Sequence, residues 1–374
     1  MRRPLQGAIT ALALVAALCL GAAPSTATDR QGPDPQPTTL ASGLLTPLSL
    51  AAGNGGSLYV SQNFGGSLLK VDRHGGTSTV FQSKIPGAEV GAVSFDDGTV
   101  YFSENAGVSP TSGASTAKLM ALSENGRLRT ITDLARWESD ENPDGDVWYG
   151  FRGLDDACLA QVPPEIPGLY KGTVDSHVYA TLPGRGEIFV ADAGGNSILA
   201  VNPRSGDVRT VAVLPPQRYQ VTAEAATMMG LPDCVVGRWY YFEPVPTDVA
   251  FGPDGLLYVS SLPGGPEGPQ LGARGRVFTV DPWSGEVNRV VADLLGPTSI
   301  AFSSSGDLYI AELFADRISV VSWGGHEAEE FLSVPLPAAL AIRDGTLYAT
   351  TNVLPAADAP PAGNVVSVEL PKSR

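Results

Sequence analysis

The chain is expected to fold as an all-β protein, a six-bladed β-propeller with four-stranded blades. An aromatic-centred strand pattern recurs six times, the turns between strands share one chemistry, and the composition suits a turn-rich β protein. The 374 residues include 43 Gly and 31 Pro, and charged residues make up only 17%. Glycine and proline punctuate strands and would interrupt helices. Hydrophobic residues at 43% supply a large core, and all-β rings of this length run as one domain.

Each copy reads as an apolar strand, a Gly/Asp turn and a strand centred on an aromatic. Asp248-Val249-Ala250-Phe251 followed by Gly255-Leu256-Leu257-Tyr258-Val259-Ser260 is one, and Ser299-Ile300-Ala301-Phe302 followed by Gly306-Asp307-Leu308-Tyr309-Ile310-Ala311 the next. The aromatic anchors are Tyr59, Tyr101, Phe189, Tyr258, Tyr309 and Tyr348, spaced 42, 88, 69, 51 and 39 residues apart. The short spacings match one four-stranded blade and the long ones contain insertions. A third strand leads into turns such as Asn202-Pro203-Arg204-Ser205-Gly206 and Asp281-Pro282-Trp283-Ser284-Gly285. There Pro presets φ and Gly accepts positive φ. Fourth strands follow, as in Val287–Ala292.

A row of blades leaves two wet end faces, whereas a ring leaves none. The last copy runs out after its third strand, Asn364–Leu370, and Pro37–Leu44 resembles the missing fourth. Residues 37–42 are therefore expected to complete the last blade, and the propeller to span 37–371. Insertions at 135–175, 215–246 and 262–275 interrupt the repeat. In an up-and-down blade they emerge on one mouth of the channel, with short helices expected at 155–161 and 222–229. Loops this long in a compact domain usually serve function.

Residues 1–27 read as a signal peptide. Arg2 and Arg3 precede the apolar stretch 8–23, which is short for a membrane span, and Ser25-Thr26-Ala27 suits cleavage. Residues 28–36 read as a linker. The expected product is secreted, without a membrane span, and monomeric. Cleavage removes two of the 24 Lys and Arg and none of the 39 acids, taking the net charge from −15 to −17. Such a surface repels nucleic acid. Cys158 and Cys234 remain, an even count that in an oxidising compartment suggests one disulfide.

The second strands end at Gln62, Glu104, Asp192, Ser261, Glu312 and Thr351. Two readings stand for Glu104, Asp192 and Glu312: ligands of a hard cation such as Ca²⁺, or caps that accept N–H bonds from their own blades. Asp140, Asn142 and Asp144, with Gly145, partly match a calcium loop, but Phe151 stands where the bidentate Glu belongs. No cofactor is required by any motif. His177 is the one histidine near the insertions, a catalytic candidate or a structural residue. His74 and His326 fall in turns on the opposite face. There is no Gly-x-Ser-x-Gly, His-Glu-x-x-His, P-loop or dinucleotide fingerprint.

Several pieces are more specific: Asn142-Pro143-Asp144-Gly145 with Tyr149-Gly150, Asp175-Ser176-His177, Val190–Leu199, Gly230-Leu231-Pro232-Asp233-Cys234, Glu243–Asp248 and Leu262–Glu267. With them the chain resembles the ScyD/ScyE family of secreted propellers over residues 38–370. Cyanobacterial members are associated with making the pigment scytonemin, and the resemblance carries no catalytic residues. The blades are similar, more distantly, to NHL-repeat proteins, streptogramin lyases and SMP-30-type lactonases. The expected function is a non-catalytic module that binds a small molecule or an extracellular protein at the lidded mouth, with Asp175, His177, Glu243 and Asp248 on the ligand face. The alternative is a metal-assisted lactonase or lyase at the same mouth.

Overall fold

A computed structural model describes residues 35–107, 116–266, 268–355 and 359–371. The expected signal peptide and all but the last two residues of the linker lie outside the described residues. β1 (Thr38–Leu44) comes first. The first sheet holds β2 (Leu50–Ala52), β3 (Leu58–Gln62), β4 (Ser67–Val71) and β5 (Thr77–Gln82). The second holds β6 (Glu89–Asp96), β7 (Thr99–Ala106), β8 (Thr116–Ser123) and β9 (Leu128–Asp133). After α1 (Leu134–Glu141), β10 (Trp148–Phe151), α2 (Asp156–Leu159) and β11 (Leu169–Lys171) comes a third sheet of β12 (Val178–Gly184), β13 (Glu187–Asp192), β14 (Ser197–Val201) and β15 (Val208–Val213). β16 (Gln217–Gln220), α3 (Ala223–Met229) and β17 (Trp239–Phe242) precede a fourth, with β18 (Pro246–Phe251), β19 (Leu257–Ser261), β20 (Gly275–Val280) and β21 (Val287–Leu294). The fifth has β22 (Pro297–Phe302), β23 (Leu308–Glu312), β24 (Arg317–Val321) and β25 (Glu329–Ser333). β26 (Leu340–Arg343), β27 (Thr346–Thr351) and β28 (Gly363–Glu369) make the sixth, and β1 is its outer strand.

The innermost strands neighbour one another in the order β2, β6, β12, β18, β22, β26 and back to β2. Successive side chains on a strand point to opposite faces, so each sheet has two apolar faces to bury. Leu58 and Val60 face the sixth sheet, while Tyr59 faces the second. One apolar core lies between each consecutive pair of these six sheets, including the pair that closes the ring. Closure runs through β1, which pairs antiparallel with β28 from Thr38 opposite Ser367 to Leu44 opposite Gly363.

The repeated turn glycines have a second duty. Gly206 and Gly285 have φ of +78° and +73°, and a Cβ on either would come within 2.6 and 2.5 Å of the carbonyl oxygens of Ile131 and Val211. Each of these turns leans on the outer strand of the preceding sheet. Only glycine supplies both the left-handed backbone and the close approach.

A seventh four-stranded sheet was not expected. It has the order β11-β10-β17-β16 and is built wholly from the first two insertions. They join through β10 and β17, where Gly150 faces Tyr241 and Phe151 faces Tyr240. The count of six therefore describes the ring and not the whole chain. The expected helices are present as α2 and α3, capped by the side chains of Asp155 and Thr222, and α1 is additional. The Cys158–Cys234 disulfide is formed, with Cα atoms 6.0 Å apart. It sits in a separate core with Phe151, Ala225, Val235, Tyr240 and Phe242. Among the described residues no helix is long and apolar enough to cross a membrane.

Candidate functional site

The third insertion, 262–275, folds against this sheet. Gly264 N–H donates to the Glu243 carbonyl at 3.0 Å. Arg274 donates to the carbonyls of Gly264 and Pro266 at 3.1 and 3.2 Å and lies 4.5 Å over the Phe242 ring. Tyr240 Oη donates to the Pro167 carbonyl at 3.0 Å. All three insertions thus meet around Phe242. Phe242 lines a groove of about 470 Å³ walled by Ile166, Pro167, Met228, Met229 and Pro266, with Glu165 also on its lining. Phe242 also lines a second groove of about 250 Å³, with Arg218, Arg274, Arg276 and Asp293. Burial holds the Arg274 guanidinium down at about 10. Burial, then the neighbouring charges of Arg289 and Arg218, lower Arg276 against the opposing pull of Asp293. Among the described residues none of the three groove arginines pairs with a carboxylate.

Below the insertions the acids of the mouth are bound in place. Glu312 is fully buried; its carboxylate accepts from Arg317 Nε (2.8 Å), Ser319 Oγ (2.5 Å) and the Leu295 N–H (2.8 Å). Glu104 accepts from Ser83 Oγ at 2.7 Å and Lys118 Nζ at 3.2 Å. Asp192, fully buried, accepts from Ser176 Oγ (2.6 Å), the His177 N–H (2.7 Å) and the Gly195 N–H (3.3 Å). The three stand in separate sheets, each with its own donors. Among the described residues no three His, Cys, Asp or Glu side chains converge closely enough to hold one metal ion.

His177 forms an ion pair, its Nε2 lying 3.2 Å from Glu89 Oε2, which also accepts from Asn63 Nδ2 at 2.9 Å. Burial pulls the imidazole down, but the hydrogen bond and charge of Glu89 outweigh it and leave His177 above its ordinary 6.5. Glu89 is correspondingly lowered; burial would raise it, and His177 and Asn63 outweigh that. The His177 contribution to stability is thus present below 6.5 and lost as pH rises through the raised folded value. In Glu89→Gln the burial effect is left unopposed by the nearest charge. The His177 titration followed by NMR should then move down. An unchanged titration would show that Glu89 does not set it.

Asp175 and Glu243 are half-buried and raised by burial, and Glu243 is raised further by Asp144 and Asp175. Asp248 lies elsewhere, on the wall of the central channel, a cavity of about 340 Å³ lined by the innermost strands. Burial lifts it to about 6 against bonds from Ser299 Oγ (2.6 Å) and the N–H groups of Ile300 and Val249. Asp140 points to solvent, whereas Asn142 is half-buried and Asp144 fully buried. Asp144 Oδ2 accepts from Tyr149 Oη (3.0 Å) and Asn196 Nδ2 (2.8 Å).

Sequence reasoning missed Glu138 and Glu89. Glu138 is fully buried beside Asp192, Asp144 and Asp175. It stands one turn after Leu134 on the inward face of α1. The i, i+4 spacing from Leu134 was its signal, readable only once a helix was assigned there.

No protein-family model and no curated protein matches the chain. Solved structures do, at low identity. A putative oxidoreductase (glucose dehydrogenase) from Thermus thermophilus is 14% identical, with 89% of this chain and 99% of that one covered and a TM-score of 0.56. A gluconolactonase from Xanthomonas campestris is 13% identical over 89% and 90%, with a TM-score of 0.53. Virginiamycin B lyase from Staphylococcus aureus is 15% identical over 90% and 99%, with a TM-score of 0.50. At these identities the likeness is one of fold, a β-propeller.

Proposed function

We propose that the chain is a secreted six-bladed propeller of the ScyD/ScyE kind, with the seventh sheet as its lid, and that it binds a small organic anion without chemical conversion. The observation that supports this most directly is the pair of grooves that Phe242 lines. An apolar groove of about 470 Å³ suits a ring or short aliphatic body. Next to it stand three arginines with one acid, Asp293, and among the described residues none of the three forms an ion pair, in a chain of net charge −15. Guanidinium groups pair with carboxylate, sulfonate or phosphate in a planar, two-pronged way.

The metal-assisted lactonase or lyase reading gains no support from this geometry. Glu104, Asp192 and Glu312, its candidate ligands, already accept bonds from nearby donors. The anion reading is tested by calorimetric titration of aromatic and aliphatic carboxylates and sulfonates into the protein. Arg276→Ala should weaken the best binder about tenfold, or ~1.4 kcal/mol. A panel in which nothing binds, or a binder indifferent to Arg276, would refute it.

A further inference from the structure

Glu138 poses a problem of charge. Its side chain is fully buried, and neither carboxylate oxygen has a hydrogen-bond partner. The Asp175 N–H faces it without reaching hydrogen-bond geometry and offsets little. Burial, then the charges of Asp192, Asp144 and Asp175, push its carboxyl up to about 8. An isolated buried carboxylate costs several kcal/mol unless it is protonated or meets a cation. His177, the nearby cation, is engaged with Glu89.

The surroundings offer more oxygen. Asp144 Oδ1 and Asn142 Oδ1 are also buried without partners. Asn142 Nδ2 lies 3.5 Å from the Gly172 carbonyl, and a Cβ on Gly172 would collide with Asp144 Oδ1. A Cβ on Gly195 would fall 2.8 Å from Glu138 Oε2, and Asn196, the next residue, holds Asp144 Oδ2. Gly172 beside Asp144 and Gly195 beside Glu138 therefore let backbone approach these unsatisfied oxygens more closely than a side chain would allow.

We propose that Glu138, Asp144 and the amide oxygen of Asn142 bind one hard divalent cation of the Ca²⁺ class. Two carboxylates and one amide, all oxygen, suit Ca²⁺ rather than a thiol- or imidazole-preferring metal. This is a different set from any three carboxylates, and it does not depend on the anion grooves. The cation would tie α1 to the turn after it, whose Asp144 already accepts from Asn196 of the loop between β13 and β14, and would relieve the repulsion among the acids.

The test uses chelator-treated mature protein. Ca²⁺ should raise the melting temperature by several degrees near neutral pH, and Mg²⁺ by less. Glu138→Gln should abolish the response, while Asp140→Ala, which alters an exposed neighbour, should keep it. Should Glu138→Gln fail to fold, terbium luminescence of the wild-type chain gives a second measurement. Tyr149, hydrogen-bonded to Asp144, should sensitise bound Tb³⁺, and Ca²⁺ should quench the signal by displacement. A wild-type chain that shows neither thermal response nor displaceable Tb³⁺ emission would overturn the proposal and leave Glu138 protonated. A Ca²⁺ response that survives in Glu138→Gln would overturn it equally.

Discussion

A chain that begins at residue 45 is expected to melt on the order of 10 °C or more below one that begins at residue 28, or to be insoluble. β1 is the outer strand of the sixth sheet and closes the ring from the opposite end of the chain. Without it β28 presents a bare edge from Gly363 to Ser367, the kind of edge on which chains aggregate. Ala41 and Leu44 leave the core between the sixth and first sheets, where Leu50, Val60, Val71 and Val365 are buried against them. Losing a buried leucine alone costs about 2–5 kcal/mol, and a whole domain has only about 5–15 to lose. The turn at Gly75 also rests on this strand, since a Cβ there would come within 2.5 Å of the Leu40 carbonyl. Leu44→Ala should reproduce part of the loss, and a synthetic peptide of residues 35–44 should restore part of it in trans. A truncated chain that melts with the full-length one would show that ring closure does not depend on this strand.

That closure was legible because its signal is local and repeated. Leu40-Ala41-Ser42 looks like other fourth strands, and the turn chemistry around Gly206 and Gly285 repeats at fixed offsets. The lid sheet gave no such signal. β10 and β17 are four residues each, Trp148-Tyr149-Gly150-Phe151 and Trp239-Tyr240-Tyr241-Phe242, too short for a period-2 pattern to stand out. They pair with each other across the whole third sheet. Tyr149, Phe151, Tyr240 and Phe242 are buried, and backbone pairing makes the two segments strands. The acids were found but their grouping was not. Glu104, Asp192 and Glu312 occupy equivalent register positions, which the repeat shows. Whether such positions meet depends on the donors each sheet brings, such as Arg317 for Glu312 and Ser176 for Asp192. The charges that do gather, Glu138 with Asp144 and Glu89 with His177, each need an acid from outside the repeated pattern, where no register position pointed to it.

The second large effect is expected from the disulfide. Cys158 and Cys234 are 76 residues apart in sequence, and the loop they close contains the entire third sheet. On the chain-entropy model the cross-link stabilises by roughly 4–5 kcal/mol. Its loss should not fall evenly. The ring is held by six inter-sheet cores that include neither cysteine, whereas the lid core contains Cys158 among Phe151, Val221, Val235 and Phe242. Cys158→Ala combined with Cys234→Ala should therefore split one melting transition into two. Fluorescence of Trp148 and Trp239 on the lid strands should report the lower, and the far-ultraviolet signal of the ring the upper. Below the first transition the Phe242 grooves should still be formed; between the two, binding there should be lost while β-sheet content persists. A double variant that melts in one step within about a degree of the oxidised protein would show that the pairing of β10 with β17 and the core they share hold the two insertions together without the cross-link.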